Sequence, residues 1–301
     1  VVLLRKKWFC ARNGFLFCFT VPTLALFSVI VLIPILQGLY YSFFSWNGLS
    51  SEKTFVALEN YKRLLADPVI LTALGNDLKT AVIRLLFTLL LSLGLALILT
   101  RIHVPGNRFF RSLLFFPTML SAVVVCTVWM MLYNPSFGIL NLLLDVIGVP
   151  IPDAGWLGDF RTALYSTIPP AVWCSVGFYM IIFISAIDSI PETLFESAKM
   201  DGVSLWVETK DIILPLVRPQ INFCAIYVVI SSMNGSYLFV KLLTNGGPNS
   251  ASEVLGTYMT TNAFNYHQFG YATAIGTLIL AVTLLISGLL NKIFRSEAYE
   301  F

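Results

Sequence analysis

Charge is what this sequence has least of. Asp, Glu, Lys and Arg make up 12% of the chain, and 57% of its residues are hydrophobic. A soluble domain carries about twice that share of charge, so the apolar excess here is surface for lipid. The net charge of +3 is too small to hold nucleic acid. Histidine is nearly missing: His103 and His267 lie far apart in loops, and no metal-ligating set can be built on that spacing. The five cysteines, Cys10, Cys18, Cys126, Cys174 and Cys224, contain no CxxC pair, and four of them fall within or at the ends of apolar runs. That argues against a zinc site and against a disulfide framework. No GxxxxGK[ST] stretch occurs, so the chain has no P-loop of its own for ATP. HExxH and paired acids within apolar runs are missing as well, and no catalytic residue is assigned.

What the sequence does have is six long apolar runs. They span roughly 15–41, 80–100, 112–133, 163–187, 219–243 and 272–294. Each can cross a hydrocarbon core of about 30 Å at about 1.5 Å per residue. The expected fold is an all-α membrane protein of about six transmembrane helices. The first run is too long for a signal-peptide core and is followed by no A-x-A site, so it reads as a helix that stays. Pro22, Pro34, Pro117, Pro169 and Pro170 sit within or at the edges of these runs, which membrane helices tolerate.

Of the 19 Lys and Arg residues, twelve would face the side of the N-terminus, led by Arg5, Lys6, Lys7 and Arg12, and seven the other. The positive-inside rule then puts both termini in the cytoplasm. Lys79 and Arg84, at the expected outer end of the second span, read as snorkelling residues. Lys241 reads as a cap on the outer end of the fifth, and Asp188 as pairing at the inner interface. The outer segments 43–78, 134–162 and 244–271 read as loops, and Asp145, Asp153, Asp159, Glu253 and His267 in them as ordinary solvated groups. The middles of the spans are nearly free of acids, whereas a proton- or sodium-coupled carrier needs such relays.

The inner loop between spans four and five, Ser189 to Pro219, is the least loop-like. Ser189 and Glu192 have capping-box spacing with Pro191 in the first turn, which predicts a surface helix over 190–201. Leu194, Phe195 and Ala198 fall on one face, and Gly202 supplies a left-handed stop. A second amphipathic piece carries Leu205, Trp206 and Ile212, and Pro215 and Pro219 mark the return to the bilayer. By physics alone this segment could also be an interfacial helix lying on the inner leaflet.

Glu196-Ser197-Ala198, three residues, Gly202, nine residues and Ile212-Ile213-Leu214-Pro215 resemble the EAA loop of ABC importer permeases, with Ser197 where the pattern has Ala. Further along, Asn60-Tyr61 with Leu64 to Pro68, Phe110 to Pro117, Trp129, Asn134-Pro135, Gly138, Leu243 to Pro248, Glu253-Val254-Leu255, Tyr258 and Gly270-Tyr271-Ala272 are similar to segments of sugar permeases. Their order and spacing resemble the carbohydrate-uptake branch of type I ABC importers, the maltose and glycerol-phosphate type.

The resemblance implies a multi-pass protein of the cytoplasmic (inner) membrane of a bacterium or archaeon, with a permease domain over 14–296 and its coupling loop at 188–219, between cytoplasmic segments 1–13 and 297–301. It implies partners: a second related permease, two ABC ATPase subunits that bind ATP and Mg, an extracytoplasmic sugar-binding protein, the lipid bilayer and a sugar, most readily an oligosaccharide. The chain itself would hold no cofactor. Glu196, Ser197, Ala198, Asp201, Gly202, Leu214 and Pro215 would couple it to the ATPase. Asn245, Gly246, Gly247 and Pro248 would meet the binding protein. For the path, the polar stretch of span five offers Ser232, Asn234, Gly235, Ser236 and Tyr237, and span four offers Trp173, Gly177 and Tyr179. By the residues alone the span-five stretch could equally be small-residue and hydroxyl packing between helices, and Trp173 a membrane-interface belt or bundle packing; the resemblance favours the path for span five.

Overall fold

The computed structural model describes residues 15, 17–102, 105–146 and 148–293. The expected end segments 1–13 and 297–301, with Arg5, Lys6, Lys7, Arg12 and also Cys10, His103 and Arg295, lie outside the described residues. The chain divides into two compact units: residues up to Ala66 with Thr261–Thr277, and Asp67–Thr260 with the residues from Leu278 on.

The first unit opens with α1, Phe17–Tyr41, which is exposed along nearly its whole length. Its ladder widens to a π-turn at Ser28–Leu32, where the Ile33 N–H donates to Ser28 O just before Pro34. Proline lacks an N–H and crowds the preceding turn, and the wider register accommodates it. A two-residue ladder follows, β1 (Phe44–Ser45) antiparallel to β2 (Thr54–Phe55). Asn60 of α2, Glu59–Ala66, holds this hairpin by donating to Ser42 O at 2.8 Å and Phe44 O at 3.0 Å. The Arg63 guanidinium lies 4.1 Å from the centre of the Tyr271 ring.

In the second unit α3 runs unbroken from Pro68 to Arg101, 34 residues. Asp67 starts it: its carboxylate accepts from the Val69 N–H at 2.9 Å, and Pro68 occupies the first turn. The expected start at Thr80 is therefore corrected. Residues 68–78 were expected as outer loop because they are too polar for an apolar run, yet they bury Ile70, Ala73, Asn76 and Asp77 along one face of the same helix.

The third span is broken. α4, Asn107–Phe115, tightens into a 3-10 turn at Phe116–Met119, the chain bends by 100°, and α5, Ala122–Leu132, follows. Leu120 is extended and Ser121 caps the new helix through Val124 N. Hydropathy is continuous across this break, which is why one run was expected. After α6, Ile139–Val146, comes α7, Ala163–Asp188, with Pro169 and Pro170 near its start, and then the loop helices α8, Glu192–Met200, and α9, Leu205–Glu208. α10, Arg218–Leu243, α11, Leu255–Thr260, and α12, Phe269–Ile293, complete the order. Among the described residues five helices can cross a membrane, or six if the broken pair is one span.

The core lies where α3, α7 and α10 meet: Ala96 and Leu99, Met180, Phe183 and Ile187, Cys224 and Val228. Gly177 lets α7 approach α4 closely. A Cβ there would stand 2.5 Å from Leu114 O and 2.8 Å from Phe115 Cα, both backbone atoms of α4.

Candidate functional site

The loop between α7 and α10 is folded and tied to the ends of the spans. α8 turns Phe195 and Ala198 inward, and Phe195, Ile213 and Val217 belong to the same core as α3, α7 and α10. Arg101, the last residue of α3, is the clasp. Its Nε donates to Glu208 Oε1 at 2.7 Å, and its guanidinium lies 3.7 Å from the centre of the Phe195 ring. Glu208 is buried, so the pair is largely desolvated and its geometry is held on both sides. The Asn107 amide donates to Leu99 O at the same end of α3. Arg111 and Asp188 come within 3.8 Å, a half-exposed and weak pair.

The capping box expected at Ser189 is corrected. α8 begins at Glu192, after Pro191, with no side-chain cap. Ser189 instead closes α7, its hydroxyl donating to Ala186 O at 2.7 Å. Pro191 is the reason: it sits extended at the boundary and separates the two helices. The stop at the other end is as expected. Gly202 has φ +68°, and the Gly202 and Val203 N–H groups return to Lys199 O and Ala198 O, a Schellman closure that only glycine forms without strain.

The outward surface of this segment mixes charge with bare apolar groups. Glu196, Ser197, Asp201 and Gly202 are exposed, as are Met200 (88%) and Trp206 (75%). Leu214 and Pro215 lie at the far end, where a short helical turn leads into α10. Ala198 differs from its neighbours because it is buried against the core.

A second region lies at the other end of α3. Asn76 donates to Ala251 O and Glu253 O, both at 2.9 Å. Asp77 accepts from Ser236 Oγ at 2.7 Å and from the Leu255 N–H at 2.9 Å. Asp67 accepts from the Tyr258 hydroxyl at 2.7 Å. Together these residues fasten the 251–258 segment to α3 and α10. Asp77 lies near the start of α3 rather than in its middle, and both of its carboxylate oxygens are bonded. Glu253 was expected to be solvated and is half-buried beside Gly246, bonded by the Thr257 hydroxyl. Burial pushes its carboxyl above the ordinary range, with Thr257 and the Lys241 charge pulling the other way. Asn245, Gly246, Gly247 and Pro248 form a tight turn. Asn245 and Gly246 have φ of +52° and +83°, Gly247–Pro248 is cis, and Lys241 Nζ donates to Asn245 Oδ1 at 2.6 Å.

The path candidates separate. Ser232 and Ser236 are one turn apart on the buried face of α10, with Gly235 beside them facing Arg84. Asn234 is exposed elsewhere on the helix and donates to Ile230 O. Tyr237 packs over Gly256. In α7, Gly177 packs on α4 and Tyr179 is buried in the core. Trp173 instead lines an apolar cavity of about 920 Å³ with Trp129, Phe116, Phe87 and Tyr165, its ring edge-on to Trp129 at 6.3 Å. Arg84 does not snorkel: it is only 5% exposed. Lys79 is exposed. Sequence reasoning missed the Arg101–Glu208 clasp and the Asn76–Asp77 brace. The signal for the brace was an adjacent amide and acid just before an apolar run. The clasp joins residues 107 apart and had none.

A helical chain with five or six candidate spans among its described residues, whose helix α3 is clasped at one end to an exposed surface helix, is an integral membrane protein. Residues 89–297 match the family described as binding-protein-dependent transport system inner membrane component, and the chain belongs to that family as a multi-pass permease subunit. It is similar to a probable ABC transporter permease protein of Bacillus subtilis, 36% identical over 94% of this chain and 97% of that one. It is also similar to the diacetylchitobiose uptake system permease protein of Streptomyces coelicolor, 33% identical over 97% and 85%. Its fold is that of a chain in a bacterial alginate ABC transporter crystallised with a pentasaccharide-bound periplasmic protein: TM-score 0.81, 24% identity, 95% of each chain covered.

Proposed function

We propose that this chain forms half of the translocation path of an ATP-driven importer that takes up an oligosaccharide delivered by a binding protein. The other half is a second, related permease, and two ABC ATPase subunits bind ATP and Mg. Both termini face the cytoplasm. α8 docks on the ATPase, with Glu196, Ser197, Asp201 and Gly202 at the contact, Ala198 seating the helix, and Leu214 and Pro215 returning the chain to the spans. The turn at Asn245, Gly246, Gly247 and Pro248 faces the binding protein. The observation that carries this reading is the clasp: α8 is exposed on one side, and Phe195 and Arg101 join it to α3 on the other. A push on α8 is therefore a push on the spans. The sugar reading draws on the diacetylchitobiose relative and on the aromatic groups at Trp173 and Trp129, since ring faces suit the apolar faces of sugars.

The test is ATPase activity of the assembled complex in lipid, with and without sugar-loaded binding protein. Stimulation is expected for the wild type and is lost in Gly202→Asp, whose side chain cannot hold φ +68° cheaply. Unchanged stimulation in Gly202→Asp removes the role given to α8. Uptake by this chain alone in vesicles without ATP replaces the whole reading with a secondary carrier.

A further inference from the structure

One face of α3 carries a polar stripe through the span: Asp77, Thr80, Arg84, Thr88 and Ser92, at helical spacing and all buried. Its two ends are satisfied. Asp77 is bonded by Ser236 and Leu255, and the Ser92 hydroxyl donates to Thr88 O. The three residues between them are not. Thr80 Oγ1, Arg84 Nε and Nη1, and Thr88 Oγ1 are buried without a hydrogen-bond partner. In the same helix Thr72 and Thr100 donate to the carbonyls of Pro68 and Ala96, one turn back, so the threonines of the stripe depart from the local habit.

Among the described residues no hydrogen bond fills the gap, although Cys174 and Tyr179 of α7 lie near the guanidinium. A Cβ on Gly235 of α10 would meet only Arg84 Nη1, at 3.9 Å. Asp77 cannot serve, because both of its oxygens are already bonded and it lies seven residues, about 10 Å, along the helix. Two of the guanidinium nitrogens, Nε and Nη1, are thus desolvated without a partner, a deficit that an anion would fill. The guanidinium presents a planar fork of donors that matches a carboxylate or a phosphate, and a hydroxyl stands one turn to either side. The seam borders Ser232, Gly235 and Ser236, the polar stretch of α10.

We propose that Arg84, with Thr80 and Thr88, is an oxyanion-recognition site on the translocation path, so that the cargo is an anionic saccharide. This rests on the permease reading and narrows its cargo. A carboxylate of a uronic acid unit and a sugar phosphate share the chemistry.

The test does not depend on knowing the cargo. In the assembled complex, with native cysteines replaced by Ala, Thr80→Cys and Thr88→Cys are exposed to an anionic (sulfonatoethyl) and a cationic (trimethylammonioethyl) methanethiosulfonate through the ATP cycle. The anionic reagent is expected to react about tenfold faster or more beside a buried cation. Arg84→Gln should abolish that preference and Arg84→Lys should keep it. Digalacturonate against inorganic phosphate, as protectants, tells the two sources apart. If neither cysteine reacts in any nucleotide state, the stripe is sealed packing and the proposal falls. It falls equally if the preference is absent, if it survives Arg84→Gln, or, should Arg84→Gln not assemble, if Arg84→Lys lacks it. A preference for the cationic reagent assigns Arg84 to an acid of the partner permease instead. Sugar-stimulated ATPase activity measured on the same preparations reports on the permease reading separately.

Discussion

Two helices of nearly equal length, α1 and α7, end in opposite surroundings. None of the apolar window of α1 is buried within this chain, whereas 61% of that of α7 is, although α1 is the more apolar of the two. Hydropathy therefore does not decide burial here. Lipid tails are as apolar as leucine, and helices associate in a bilayer through close packing and bonded polar groups. α7 offers Ala171, Gly177 and Ala186 to its neighbours, whereas α1 is lined with exposed Phe, Leu, Val and Ile.

The sharpest way to break this contrast is to put bulk into the seam. Gly177→Leu drives its side chain into backbone atoms of α4 that cannot rotate away, and should cost about 3 kcal/mol, the upper end of overpacking penalties. Thermal aggregation of the purified complex in detergent reads this as a large downward shift. Removing a polar tie should cost somewhat less. Glu208→Ala leaves the partly exposed Arg101 guanidinium without its carboxylate at the end of α3, at about 1–3 kcal/mol. It should also uncouple the complex, so that basal ATPase persists while stimulation by loaded binding protein falls. The smallest effect belongs to α1. A Cβ on Gly38 meets nothing within 4 Å, so Gly38→Ala should change stability by less than about 1 kcal/mol. A clear loss of assembly in Gly38→Ala would mean that α1 packs against another subunit there.

The same contrast explains what could be read in the sequence. The ends of α7, α10 and α12 fall within three residues of the apolar runs, because polar or turn residues stop both the run and the helix. The folded loop between α7 and α10 was legible through spacing: Gly202 and Pro215 are local signals, and the left-handed Gly202 is where its position demands it. The break at Leu120 was not, since both half-helices are apolar and a bend leaves no mark on hydropathy. The extension of α3 to Pro68 was hidden by the polarity of Asn76 and Asp77, residues the helix buries against the 251–255 segment. Arg84 was misread because charge near a span end suggests snorkelling, and only packing decides whether such a side chain reaches out.

The unbroken length of α3 has a mechanical meaning. Asp77 and Arg101, the two residues by which it grips the 255 and 208 segments, are about 36 Å apart along one stiff rod. A rod pivoted near its middle acts as a see-saw. A tilt of about 5° carries each grip about 1.6 Å, in opposite directions, which follows from the rise per residue alone. Displacement applied at one clasp thus reaches the other with reversed sign and no intermediate relay, and α3 has no hinge between Asp77 and Arg101 at which the motion could be absorbed.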